Sequence, residues 1–226
     1  MDRRKVMVSF SGGKDSMLSL YRMLKDDGYH VAGLFTTIQD TNKRTALHGV
    51  REEVLECQAK ALKLPLKKIF LPENSNNKEY EAVMAKAIDG IKAEGIEAMV
   101  FGDIFLEDIR SYREDNMKQA GMEALFPLWK DDPRCIMDEF LSLGFRTVIT
   151  TLDKEALPER LLGKEVDEKL LGELPESVDV CGENGEFHSI VTDGPIFSHP
   201  ISLQPGKTFV QHERFLTLDF QVTGKG

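Results

Sequence analysis

Cysteine is scarce in this 226-residue chain: Cys57, Cys135 and Cys181 stand far apart, and no C-x-x-C pair occurs. That spacing argues against both a disulfide-stapled scaffold and a zinc cluster. Long apolar runs are missing too. The longest are about five residues, as where Val6-Met7-Val8 leads into Phe10, far short of the roughly 20 needed to cross a bilayer. Met1-Asp2-Arg3-Arg4 is not followed by the apolar stretch of a secretory leader. Positive charge is also in deficit, 29 Lys and Arg against 38 Asp and Glu, for a net charge of -9. No Lys/Arg cluster carries interleaved aromatics, so nucleic acid is a poor candidate partner. At 41% hydrophobic and 30% charged residues the composition excludes disorder. The remaining expectation is a cytoplasmic enzyme or nucleotide-binding protein with no membrane partner.

The first half alternates strand and helix signals. Residues 5–10 form a short apolar run that ends in Ser-Gly-Gly, as a buried parallel strand would. Met17, Leu18, Leu20, Tyr21 and Leu24 follow at helical spacing, with Gly28 as a stop. A second strand is expected at 31–37, a helix over 48–62, a third strand at 66–71, a helix from Tyr80 to near Gly95, and a fourth strand at 98–101. Along the 48–62 helix, Val50, Val54, Leu55, Gln58 and Leu62 share one side. The alternation predicts an α/β fold: a parallel five-stranded nucleotide-binding sheet with helices on both faces. The second half is less regular. Helix is expected at 138–143 and strand at 146–151, then charged, leucine-bearing surface helices over 153–176, then short β runs at 187–191, 208–212 and 215–222. A soft boundary near Pro127 divides the chain into a nucleotide-binding domain (1–126) and a smaller α+β substrate-side domain (127–226).

The residues that carry chemistry are Ser11-Gly12-Gly13-Lys14-Asp15-Ser16, between the first strand and the first helix. Neither the G-x-x-x-x-G-K-[ST] phosphate loop nor the dinucleotide fingerprint fits them. The physical reading is still an anion site. Two glycines let the backbone come close to a phosphate, and the N–H groups at the helix start point at it with the helix dipole behind them. Ser11 and Ser16 add hydroxyls, and Lys14 adds charge. Asp15 beside a phosphate calls for Mg²⁺ or for local backbone N–H groups to cap. The plain alternative is a strand–turn–helix joint, but five fixed letters arise by chance in such a chain roughly once in several thousand.

S-G-G-x-D-S after a first strand resembles the PP-loop ATP pyrophosphatases. That resemblance implies ATP and Mg²⁺ as cofactors, pyrophosphate in the 11–16 loop, and an adenine side formed by Thr36, Thr37, Gly102 and Asp103. A narrower resemblance spans nearly the whole chain. Its markers are Arg44-Thr45-Ala46-Leu47-His48-Gly49-Val50, Phe101-Gly102-Asp103-Ile104, Pro127-Leu128-Trp129, Leu143-Gly144-Phe145, and Gly182-Glu183-Asn184-Gly185-Glu186-Phe187-His188-Ser189 before Asp193-Gly194-Pro195. Together they look like the diphthine–ammonia ligase family. The resemblance implies that a carboxylate is adenylated and amidated with ammonia, with diphthine on elongation factor 2 as acceptor. Where that family carries Tyr-Gln-Arg-x-Arg ahead of a Glu, this chain has Asp108-Ile109-Arg110-Ser111-Tyr112-Arg113-Glu114, so only Arg110 and Glu114 match.

The expected catalytic set is Lys14, Asp15, Glu183 and Glu186, with Asp15 as the metal ligand. Nucleotide contacts are expected from residues 11–16, Thr36, Thr37, His48, Gly49, Gly102 and Asp103. The acceptor side is expected from Arg110, Glu114, Glu183, Asn184, Gly185, Glu186 and His188. Alternation along a strand starting at Phe187 would put Glu186 and His188 on one face and favour Glu186 over Glu183. Cys181 reads as a structural thiol, Trp129 as core, and the acidic run 165–176 as a solvated face. A tRNA-modifying PP-loop enzyme and a non-catalytic adenine-nucleotide regulator are the competing readings, and a homodimer is left open.

Overall fold

The computed structural model describes residues 3–45, 49–72 and 77–223. A first sheet holds β1 (Arg4–Ser9), β2 (Tyr29–Gln39), β3 (Leu66–Leu71), β4 (Ala98–Val100) and β5 (Glu123–Leu125). Its order is β3-β2-β1-β4-β5, and every pairing is parallel. Helices α1 (Lys14–Lys25) and α2 (Glu52–Leu62) cover one face; α3 (Asn77–Ala93) and α4 (Glu107–Gln119) cover the other. Doubly covered parallel strands must be apolar on both sides, and Val6, Val8, Leu34, Ala98 and Val100 are fully buried.

The fifth strand is a departure from expectation. Glu123-Ala124-Leu125 pairs with Ala98-Met99-Val100, but three residues are too short to show either period. The strand expected at 146–151 is real, as β6 (Arg146–Asp153), and belongs to a second, antiparallel sheet. That sheet also holds β7 (Phe187–Asp193), β8 (Leu203–Gln211) and β9 (Phe215–Val222), in the order β7-β6-β9-β8. In chain order α5 (Pro133–Ser142) lies between β5 and β6, capped by the Asp132 carboxylate, which accepts from Arg134 N and Cys135 N.

The two sheets share one core. Val8, Leu18 and Leu55 from the first half pack in the same cluster as Ile149, Phe187 and Val191 from the second. In the acidic stretch after β6 the charged residues Glu165, Asp167, Glu168, Glu173 and Glu176 form a solvated face, while Leu161 in a short 3-10 turn, Val166, and Leu170 and Leu171 in α6 (Glu168–Glu173) are buried beneath it. Charge alternating with leucine here marks a helix face turned inward. Charged ties cross the same seam. Arg44 and Arg51, from the segment between β2 and α2, both bind Asp219 of β9, at 2.8 and 2.6 Å. These partners pull the Asp219 carboxyl down to about 2 against the opposing effect of burial.

Candidate active site

The loop between β1 and α1 lies at the carboxyl end of the central strand, where ligands of open parallel sheets bind. Gly12 has φ +81°, and a Cβ there would run into Gln58 and come within 2.7 Å of Leu55 Cδ2. A Cβ on Gly13 would sit 2.9 Å from the Ser189 carbonyl oxygen of β7, and one on Gly102 would sit 3.0 Å from the Asp15 carbonyl carbon. The loop is therefore walled by α2, by β7 and by the segment after β4, each at a distance only glycine tolerates. Inside it, Ser11 Oγ and Ser16 Oγ are 3.2 Å apart, Gly13 N donates to Ser11 Oγ, and Ser16 Oγ donates to Gly13 O at 3.0 Å. The N-cap residue of α1, Gly13, has no side chain to cap the first turn, which leaves the helix N-terminus open to an anion.

Lys14 is 4% exposed, and its ammonium binds both Asp15 oxygens, at 2.9 and 2.8 Å. Burial works to lower the Lys14 pKa, but Asp15 together with Cys181 and Asp179 more than offsets it and the ammonium's pKa is raised. Burial pushes the Asp15 carboxyl up, and Lys14 offsets part of that rise. The Lys14 ammonium also lies 5.5 Å from the centre of the Phe187 ring. Glu183 closes the other side. Its Oε1 accepts from Ile104 N at 2.9 Å. Burial pushes its carboxyl up to about 7, with the nearby negative charges of Asp15 and Asp103 adding to the rise.

Glu186 occupies a different position. Its Oε1 accepts from Asp179 N at 3.0 Å and Asn184 Nδ2 at 3.1 Å, and its Oε2 is buried without a partner. It braces the turn that presents Glu183, and the preference for Glu186 over Glu183 is reversed. Asp179, which sequence reasoning missed, accepts from Glu183 N at 2.8 Å and adds negative charge near Lys14. Gly185, at φ +90°, has open space beside it, and His188 carries a backbone carbonyl that accepts from Thr150 Oγ1. Burial raises the pKa of the Cys181 thiol, which donates to Pro133 O at 3.3 Å.

Beside the loop a cavity of about 390 Å³ opens among the ends of β1, β2 and β4 and helices α3 and α4. Of the expected adenine side, Thr36 and Thr37 line it, together with Phe35, Met84 and Phe101, whereas Gly102 and Asp103 do not. Its size and apolar walls suit one nucleoside. Thr45, Tyr80 and Arg113 also line it and were not anticipated. Arg113 Nε stands 2.7 Å from Asp103 Oδ2, though not aligned as a hydrogen bond, and its guanidinium lies 4.5 Å from the centre of the Phe101 ring. Arg110 and Glu114 bind each other at 2.6 Å, with Arg110 against the half-buried Trp129 ring at 4.5 Å, so neither is drawn into the loop cluster. His48 lies outside the described residues. Gly49, at φ +63°, faces Gln211 and Thr217 of the second sheet and borders a separate depression lined by Arg44, Phe209 and Gln211.

An ATP fits this arrangement: a nucleoside-sized cavity beside a glycine cradle at a helix N-terminus. For Mg²⁺, no group of three His, Cys, Asp or Glu residues suited to a metal occurs among the described residues. Mg²⁺ held between phosphates needs only one or two carboxylates, and Asp15, with 27% of its side chain exposed, can supply one.

A family model described as "Diphthamide synthase N-terminal domain" matches residues 4–124, and one described as "Diphthamide synthase C-terminal domain" matches 132–220. The chain belongs to the diphthamide synthase family. Curated relatives named diphthine–ammonia ligase extend the likeness across both halves. The Danio rerio protein is 24% identical over 92% of this chain and 90% of its own length. The Rattus norvegicus protein is 24% identical over 91% and 85%. The Schizosaccharomyces pombe protein is 26% identical over 92% of this chain, which spans only 37% of that longer relative. A solved structure, described as a predicted subunit of a tRNA methyltransferase from Methanocaldococcus jannaschii, aligns with a TM-score of 0.44 at 20% identity over 63% of this chain and 77% of its own. That likeness is too distant to bear on activity.

Proposed function

We propose that this member of the family is an ATP-dependent amide ligase. It activates a carboxylate as its adenylate and transfers the acyl group to ammonia, with AMP and pyrophosphate as products and diphthine on elongation factor 2 as acceptor. The observation that carries the reading is the meeting of Glu183, from the second half of the chain, with Lys14 and Asp15 of the anion loop. A nucleotide-binding regulator has no need of a half-buried carboxylate poised near neutrality beside its phosphate site.

The acceptor carboxylate oxygen attacks the α-phosphorus of ATP, and the bond to the β-phosphate oxygen breaks. The 11–16 loop and Lys14 take the charge that develops on pyrophosphate as it leaves. Ammonium gives a proton to Glu183, and the ammonia so formed attacks the acyl carbon. AMP leaves with the electrons of the acyl–oxygen bond, and the amide nitrogen sheds its extra proton to solvent. Mg²⁺, when bound at Asp15, would screen the phosphate oxygens from one another. The walls of the loop and of the neighbouring cavity hold the reacting atoms in line, worth several kcal/mol in related chemistry.

The test supplies the purified protein with ATP, Mg²⁺, ¹⁵N-ammonium and diphthine-bearing elongation factor 2. Stoichiometric AMP, pyrophosphate and ¹⁵N in the acceptor are expected. ATP binding without any AMP or pyrophosphate release would overturn the reading.

A further inference from the structure

We infer that Gln58 of α2 is a positioning residue that sets the anion-binding N–H groups of the 11–16 loop by locking the loop to β7. It acts on the pyrophosphate end of the site and not on the nucleoside end. The inference rests on the proposed role of that loop.

Gln58 is fully buried on a helix face otherwise made of Val54, Leu55, Ala59, Ala61 and Leu62. Its Nε2 donates to Gly12 O and to Val191 O, both at 2.8 Å. Val191 N donates to the same Gly12 oxygen at 3.0 Å. The two carbonyl acceptors settle which end of the amide is nitrogen, because an oxygen there would face two other oxygens. Its Oε1 is left buried with no hydrogen-bond partner, in the space that a Cβ on Gly12 would need. An aliphatic side chain would fill this face without leaving an acceptor stranded, and a stranded acceptor costs about 1–3 kcal/mol. The glutamine is therefore poorly explained by packing and well explained by what its nitrogen holds.

What it holds matters because a trans peptide is planar, with C=O and N–H pointing in opposite directions. Fixing the Gly12 carbonyl against α2 and β7 turns the Gly13 N–H the other way, into the loop, where it now meets Ser11 Oγ. Gly12 sits at φ +81°, a conformation in which glycine has alternatives within easy reach. Without Gln58 that carbonyl keeps only the Val191 N bond, and a peptide held at one point flips more readily and presents its oxygen to an incoming phosphate. The nucleoside cavity takes no side-chain contribution from Gln58.

The test compares wild type with Gln58→Met, which keeps length and apolar fit but gives no donor, and Gln58→Glu, which keeps shape and offers one donor only when protonated. Binding of inorganic pyrophosphate and of AMP is measured by calorimetry with Mg²⁺ present, alongside the melting temperature. Expected is a loss of roughly tenfold or more in pyrophosphate affinity in Gln58→Met, the scale of one to two hydrogen bonds. AMP affinity should stay within about twofold and melting should stay close to wild type. Gln58→Glu should recover part of the pyrophosphate affinity as pH falls. Equal losses for AMP and pyrophosphate, unchanged pyrophosphate binding, or failure of both variants to fold would each overturn the inference, leaving Gln58 a packing residue. Wild-type protein that binds no pyrophosphate refutes the loop assignment itself, which separates the two failures.

Discussion

Replacing Glu183 with Gln should stabilise the ligand-free protein while abolishing amide formation. The Glu183 carboxyl is raised from 4.5 to about 7, mainly by burial. That difference corresponds to about 3.4 kcal/mol of penalty for holding the ionised form, and water reaching the partly exposed group reduces it to roughly 1.5–2.5 kcal/mol. The sign follows from proton linkage. Between pH 4.5 and 7 the folded state holds a proton that the unfolded state has released, so stability falls as pH rises through that window. Below it, Glu183 is neutral in both states and no penalty exists. Glutamine is neutral at every pH, and its Oε1 can still accept from Ile104 N. Urea denaturation of both proteins should therefore coincide near pH 4 and separate by about 2 kcal/mol at pH 8.5, or about 4–8 °C in melting temperature for a chain of this length. A gap that does not change with pH, or a glutamine variant less stable than wild type at pH 8.5, refutes the placement of this carboxylate. In wild type, the acidic limb of kcat should fall near pH 7.

Three further outcomes follow from named contacts. Asp219→Asn removes the shared partner of Arg44 and Arg51; because that carboxyl is held near 2, its contribution of roughly 1–2 kcal/mol is present at neutral pH and disappears as pH falls through 2–4, so chemical denaturation at pH 7 and pH 2.5 should show the gap closing. Gly102→Ala places a methyl 3.0–3.2 Å from the Asp15 and Ser16 backbone, which cannot swing aside as a side chain could, and a displacement of that order should cut kcat on the order of a hundredfold with little change in far-UV dichroism. Asp15→Ala strands a buried Lys14 ammonium and should cost about 3–5 kcal/mol, whereas Ser16→Ala should leave melting nearly unchanged and still stop AMP release; similar melting temperatures for the two variants would contradict the burial of Lys14.

Much of the first half was legible because its signals are local. The apolar run before Ser11 and the helical spacing after it need no distant partner to be read. β5 was not legible, since Glu123-Ala124-Leu125 has no period and owes its strand state to the neighbouring Ala98-Met99-Val100. The helix expected from residue 48 begins at Glu52, because the polypeptide first has to place Arg51 on Asp219, a residue far along the sequence. At the site, Glu183 and Glu186 look equivalent in sequence. They differ only through what the fold puts beside them: Ile104 N and the loop charges for one, Asp179 N and Asn184 for the other. Asp179 sits between Val178 and Val180, beyond the acidic run, with no motif around it. Gln58 did leave a signal, as the polar residue in the apolar stripe of its helix, and that kind of anomaly is informative where a plain charge run is not.

The wall of the anion loop has a consequence for the order of synthesis. Residues 11–16 emerge early from the ribosome, yet the oxygen that packs against Gly13 belongs to Ser189 and the nitrogen that holds Gly12 belongs to Val191. More than 170 positions separate the loop from that wall. A growing chain can pair β1 with β2 long before it has anything to close the cradle. In the proposed mechanism, ATP chemistry therefore switches on only when the last quarter of the polypeptide has been made and docked, and a truncated translation product carries the anion motif without its β7 wall.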